Sequence, residues 1–160
     1  MMNKAVDYLS RYASSRRKLG QILQRFANRK LTDYDADDIA VAIQQTIDQC
    51  SQLGYLDDRQ FAVTLARNQR RLGRSKAMIR QRLRQHALDD DIIAHALVEA
   101  DENSANGDLQ AAIRFARRRR LGPFARRHGA HHQRLTSHQW KKRDLGAMAR
   151  AGFSVIISQR

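Results

Sequence analysis

One proline, one cysteine and one tryptophan are spread over 160 residues, with eight glycines. So few chain breakers, and so few β-branched windows, point to an all-helical protein. A single thiol, Cys50, cannot form an internal disulfide, which fits a reducing cytosol. No apolar run approaches the roughly 20 residues needed to span a bilayer. The opening MMNKAVDYLSRYASS lacks the apolar core of a signal peptide, so a cytoplasmic protein without a membrane partner is expected. Also missing are G-x-x-x-x-G-K-[ST], G-x-G-x-x-G after a strand, and C-x-x-C, which removes the common nucleotide and thiol-redox chemistries. Asp57 and Asp58 are neighbours in sequence and do not face each other on a helix, so they suit capping better than acid–base work. His128, His131, His132 and His138 have no Cys or acidic ligand nearby, and basic surroundings oppose a divalent cation. No catalytic residue, metal site or cofactor is therefore expected.

Charge is what the chain has in excess. Thirty Lys and Arg stand against 16 Asp and Glu, a net +14, while 42% hydrophobic content suffices for a core. Such an excess favours nucleic acid or an acidic protein surface as partner. The distribution by element says more than the total. Counted along the sequence, residues 1–58 are neutral, 59–88 carry nine cations and no acid, 89–108 carry seven acids and no cation, and 109–160 carry thirteen cations and one acid.

Apolar periodicity predicts nine helical elements in three sets. The first spans about residues 3–13 on Val6, Leu9 and Ala13. The second, capped by Ser14 or Ser15, carries Leu19, Ile22, Leu23 and Phe26. Ile39, Ile43, Ile47 and Cys50 mark the third, with Asp37 and Asp38 in its first turn and Gly54 ending it. Asp57 or Asp58 caps a fourth on Phe61, Leu65 and Leu72. A fifth follows Gly73 on Ile79, Leu83 and Ala87, and a sixth carries Ile92, Ile93, Ala96, Leu97 and Ala100. After a polar loop over 102–108, a seventh runs to about residue 120 through Ile113, Phe115 and Ala116, and Leu121-Gly122-Pro123 stops it. Trp140, Leu145, Met148 and Ala149 suggest an eighth, and residues 153–157 a short ninth. The sets resemble one another weakly, as in Ala87-Leu88-Asp89-Asp90-Asp91-Ile92-Ile93 against Gly152-Phe153-Ser154-Val155-Ile156-Ile157. The expected architecture is an elongated tandem array of three three-helix repeats, 1–56, 57–104 and 105–160, because one such unit buries its stripe poorly alone.

The acid-free cations form the candidate working face. Lys76, Arg80 and Arg84 follow at i, i+4, i+8 on the fifth helix, and Arg67, Arg70, Arg71 and Arg74 crowd the turn before it. Arg117 and Arg118 lie on the seventh helix among Arg114, Arg119 and Arg120; Lys141 and Arg143 lie near the eighth, beside Lys142. Like charges at i, i+4 cost a helix a few tenths of a kcal/mol per pair, a cost tolerated more readily where a partner supplies counter-charge. Arginine dominance favours bidentate contacts to phosphates or carboxylates. The acidic stretch from Asp89 to Asp101 either pairs internally or faces basic residues of a partner.

Gly54-Tyr55-Leu56-Asp57-Asp58 followed by Phe61-Ala62, then Arg70 to Leu88 with Ile79-Arg80-Gln81-Arg82-Leu83-Arg84, resembles the RecX family, bacterial regulators of the recombinase RecA. The resemblance extends to Leu9-Ser10-Arg11-Tyr12-Ala13-Ser14 and to Arg150-Ala151-Gly152-Phe153-Ser154. Two places depart from the family pattern: Ser75-Lys76 stand where Gly-Pro is usual, and Ala87 stands where Gly is usual. A non-glycine residue is strained at such a place if the backbone needs a positive φ. The resemblance implies tandem three-helix repeats and a monomeric protein that lies in the groove of the RecA–DNA filament. It further implies inhibition of filament extension, ATP hydrolysis, strand exchange and coprotease activity, with affinity for single- and double-stranded DNA. Gly54, Tyr55, Leu56, Asp57, Asp58 and Phe61 are then a structural joint. Two other readings stand beside this one: a DNA-binding protein that acts without RecA, and a small nuclease, which would need clustered carboxylates for metal.

Overall fold

Nine α-helices make up most of the described residues, which are 1–101, 106–125 and 136–159 of this computed structural model. They are α1 (Met2–Leu9), α2 (Arg16–Lys30), α3 (Ala36–Gln52), α4 (Asp58–Arg71), α5 (Lys76–Gln85), α6 (Asp90–Glu99), α7 (Gly107–Arg119), α8 (Ser137–Arg150) and α9 (Val155–Gln159), with a 3₁₀ turn at Gly122–Phe124. The fold is all-α, and no strand occurs among the described residues. His128, His131 and His132 lie outside them. Packing divides the chain into two units, residues 1–64 with 83–96 and residues 65–82 with 97–160, so the division passes through α4, α5 and α6.

The first unit is built on α2 and α3. Leu19, Leu23 and Ala27 of α2 and Ile39, Ile43, Ile47 and Cys50 of α3 are buried together with Ala5 and Leu56. Each fully buried leucine contributes roughly 1.5–3 kcal/mol. Cys50 lies 3.8 Å from the Met2 sulfur, and burial pushes its thiol up, away from nucleophilic use. Helix α1 differs from the expected stripe. It ends at Leu9 rather than near Ala13, and it buries Ala5 with Tyr8 and Leu9 partly covered, while Val6 and Ala13 are exposed. In a helix of eight residues two apolar faces compete, and contact with α2 and α3 selects one. Helix α3 ends as expected at Gly54, where the Tyr55 and Gly54 amides return to the Cys50 and Ser51 carbonyls at 2.9 and 3.0 Å.

The second unit gathers Ala111, Ala112 and Phe115 of α7 with Leu121, Met148 and Phe153. Phe115 and Phe153 meet at 5.6 Å between ring centres. Asp144, buried on α8, accepts the Gly122 amide at 2.8 Å and so fastens the 3₁₀ turn. Leu72, expected on the apolar face of α4, lies past the helix end and is exposed; Ala66 and Arg70 are the buried positions of that helix end. Helix α7 starts at Gly107, inside the expected loop, and closes on Arg120 in the left-handed conformation.

One clamp occurs twice. In the first unit Ser15 caps α2 by accepting the Lys18 amide at 3.1 Å, and its hydroxyl donates to the His86 carbonyl at the end of α5. The next amide, Arg16, donates to the Asp58 carboxylate at 2.8 Å. In the second unit Ser75 accepts the Met78 amide at 3.2 Å and donates to the Ala151 carbonyl at the end of α8 at 2.6 Å. The amide after it, Lys76, donates to Asp108 at 2.9 Å. Both serines are fully buried. Each clamped carbonyl precedes a left-handed residue, Ala87 at φ +55° and Gly152 at φ +78°. Ser75, the first departure from the family pattern, is thus a helix cap, while Ala87 is the strained position. Relief of roughly 1–2 kcal/mol of left-handed strain, less about 0.5–1 for glycine's freedom when unfolded, makes Ala87→Gly stabilising by about 0.5–1 kcal/mol. Urea unfolding checks this: the midpoint rises at constant slope.

Candidate cationic interface

The acidic pair divides its labour. Asp57 Oδ1 accepts the Gln60 amide at 2.9 Å and caps its own helix, whereas Asp58 serves α2 through Arg16. Arg16 in turn bonds Ser51 and Asp48, and Gln44 and Arg16 hold the Asp48 carboxyl below the usual carboxylate range. Leu56 is buried, Tyr55 is exposed, and Phe61 meets His86 edge-on at 5.0 Å. Gly54 to Phe61 is therefore a joint of caps and packing.

Arg70 is not on the working face. Only 4% exposed, it donates from Nε and Nη2 to the two oxygens of Asp101, both at 2.7 Å, and from Nη1 to Asp108 at 2.6 Å and to the Arg74 carbonyl at 2.9 Å. Burial opposes its charge, but the two carboxylates outweigh this and raise its pKa. Asp108 also holds the Lys76 amide, so one ion cluster ties the ends of α4 and α6 to the starts of α5 and α7. Lys76 Nζ lies 3.8 Å from Asp101.

The other expected contact residues are all exposed, in three electrostatic situations. Arg67 pairs with Glu99 at 2.9 Å and Arg84 with Asp90 at 3.2 Å, exposed pairs each worth under about 1 kcal/mol. Arg71 donates to Asn68, Arg118 to the Leu72 carbonyl at 2.8 Å, Arg117 lies over Phe124 at 5.1 Å and Arg143 over Trp140 at 4.4 Å. Arg74, Arg80 and Lys141 have no carboxylate in ion-pair range among the described residues. The acidic stretch pairs largely within the chain, Asp89 with Arg17 at 3.3 Å and Asp90, Glu99 and Asp101 as above. Among the described residues no group of three His, Cys, Asp or Glu could hold a metal ion, and no helix is long and apolar enough to cross a membrane.

Residues 57–97, which take in the joint from Asp57 onward, the turn and the cationic α5, match the family model for the second three-helix domain of RecX. Over 160 residues the chain is 31% identical to the regulatory protein RecX of Myxococcus xanthus, covering 99% of this chain and 81% of that one. The chain belongs to the RecX family. Regulatory protein RecX of Agrobacterium fabrum is 27% identical over 158 residues, 99% of this chain and 79% of that one. Crystal structures share the fold: RecX from Lactobacillus salivarius superposes with a TM-score of 0.68 over 99% of this chain and 89% of that one, at 16% identity. A second RecX crystal structure gives 0.70 over 99% of this chain and 68% of its own. RecX relatives are thus matched along the whole chain, and they are regulatory proteins by name.

Proposed function

We propose that this RecX protein is a non-enzymatic, monomeric cytoplasmic regulator that binds the groove of the RecA–DNA filament. It inhibits filament extension, ATP hydrolysis, strand exchange and coprotease activity, and so modulates recombination, DNA repair and the SOS response. The supporting observation is a set of exposed cations with no carboxylate in ion-pair range among the described residues, Arg74, Arg80 and Lys141, together with the exposed Arg71, Arg117, Arg118 and Arg143. Arginines tethered only to carbonyls, amides or rings keep most of their donors for phosphates and carboxylates of a partner. Single- and double-stranded DNA bind without sequence preference through the same charges. Three helical repeats, 1–56, 57–104 and 105–160, offer several weak contacts whose joint engagement yields avidity.

The test is RecA's single-stranded-DNA-dependent ATPase, titrated with this protein below the concentration that coats the DNA. Inhibition at substoichiometric amounts is expected; its absence overturns the filament reading and leaves DNA binding without RecA. Charge reversal at Arg71, Arg74 and Arg80 is expected to raise the half-inhibitory concentration by about tenfold or more, about 1.4 kcal/mol. An unchanged curve moves the contact surface elsewhere.

A further inference from the structure

A second cationic surface lies in the first unit, where the net charge of residues 1–58 hides it. Residues 8–32 contain seven Lys and Arg and no Asp or Glu. Three of the seven meet a carboxylate: Arg11 with Asp7, Arg16 with Asp48 and Arg17 with Asp89. Arg25 and Arg29 meet none among the described residues. Their Nε groups donate back to the helix, to the Gln21 and Arg25 carbonyls at 3.1 and 3.2 Å, and their Nη groups make no hydrogen bond among the described residues. Gln21, Gln24 and Asn28 share this exposed arc of α2, and Gln24 Nε2 donates to Asn28 Oδ1 at 2.9 Å. Ile22, Arg25, Asn28 and Arg29 border an open recess. The opposite arc, Leu19, Leu23 and Ala27, is the buried one.

We infer that α2 is a DNA-contacting helix, with Arg25 and Arg29 on the phosphates of one strand and the amides of Gln21, Gln24 and Asn28 beside them. An arc of guanidiniums and carboxamides without a carboxylate is the donor and acceptor set that helices present to nucleic acid. Four residues of helix rise about 6 Å, and neighbouring phosphates of one strand, about 3.4 Å apart along the axis, are roughly 7 Å apart in space, so Arg25 and Arg29 match two adjacent phosphates. Arg29 and Lys30 in the last turn also complement the helix dipole. That role does not account for Arg25 in the body of the helix or for the missing acids. An acidic protein surface would be served by the arginines alone and leaves the three amides without a role.

This contact requires no RecA, so its test is separate from that of the filament reading. Anisotropy of a labelled oligothymidylate and of a labelled random duplex is measured without RecA across a salt series. Arg25→Gln with Arg29→Gln keeps helix propensity and is expected to weaken binding on both probes. The slope of log K against log salt should shrink by about 1.4–1.8, the loss of two phosphate contacts. The variant's circular dichroism and melting temperature should match the wild type, since both side chains are exposed. Arg11→Gln with Arg17→Gln, two exposed arginines already paired with Asp7 and Asp89, should change the slope much less. An unchanged slope in the α2 variant overturns the proposal. So does unchanged DNA affinity accompanied by weaker RecA inhibition, which would make α2 a protein contact.

Discussion

Replacing Arg70 by alanine is expected to destabilise the protein by about 3 kcal/mol or more, although a count of charges places it on the binding face. Removing one partner from a buried ion cluster leaves the others uncompensated, at a cost of roughly 3–5 kcal/mol. Asp101 and Asp108 would lose three hydrogen bonds between them, and the Arg74 carbonyl a fourth. For a chain of this size the melting temperature should fall by about 2–4 °C per kcal/mol, roughly 10 °C in all. Arg71, the next residue, is exposed and among the described residues bonds only Asn68, so Arg71→Ala should stay within about 0.5 kcal/mol. A thermal melt of the two variants side by side separates them, and equal melting temperatures would overturn the clamp. Adding Asp101→Asn to Arg70→Ala should recover part of the loss, because one of the two uncompensated carboxylates is then neutral and only Asp108 remains. Arg70 is thus unusable as a probe of RecA or DNA contact, since its variants report folding.

Why Arg70 was unreadable is physical. Its counter-charges lie 31 and 38 residues away, Asp101 just past α6 and Asp108 in the first turn of α7. A local count sees nine cations without an acid and cannot see acids delivered by later helices. The reverse error hid α2. Averaging over residues 1–58 cancelled its cations against Asp33, Asp35, Asp37 and Asp38, which sit at or before the start of α3. Where one helix decides the outcome alone, the sequence was legible. Ile39, Ile43, Ile47 and Cys50 recur on one face of α3 and all are buried, and Ser15 and Asp57 cap as their side chains suggest. Where two helices decide it, as with Ser15 to His86 or Asp58 to Arg16, nothing local marks the pair. A serine before a basic residue, recurring as Ser15-Arg16 and Ser75-Lys76, was the available signal.

The two left-handed residues after the clamped carbonyls predict opposite responses to one methyl group. Ala87→Gly relieves strain, and Gly152→Ala creates it. At Gly152, φ is +78° and a Cβ would stand 2.7 Å from Ser75 Oγ and 3.1 Å from Ala77 Cβ. Ser75 cannot swing aside freely, because its hydroxyl both accepts the Met78 amide and donates to the Ala151 carbonyl. Losing those two bonds costs about 1 kcal/mol each, and the left-handed alanine adds roughly 1–2, less a few tenths from a stiffer unfolded chain. The expected loss is about 3 kcal/mol, read as a lower urea midpoint at constant slope. Ser75→Ala removes the atom that the new methyl meets, so the double variant should be less destabilised than the sum of the singles. A coupling of about 1 kcal/mol is expected, within the range for residues in contact. Strict additivity would mean that the backbone alone resists the methyl and that the serine hydroxyl yields without cost. The hydroxyl's bond to Ala151 would then contribute little to holding the start of α5 to the end of α8.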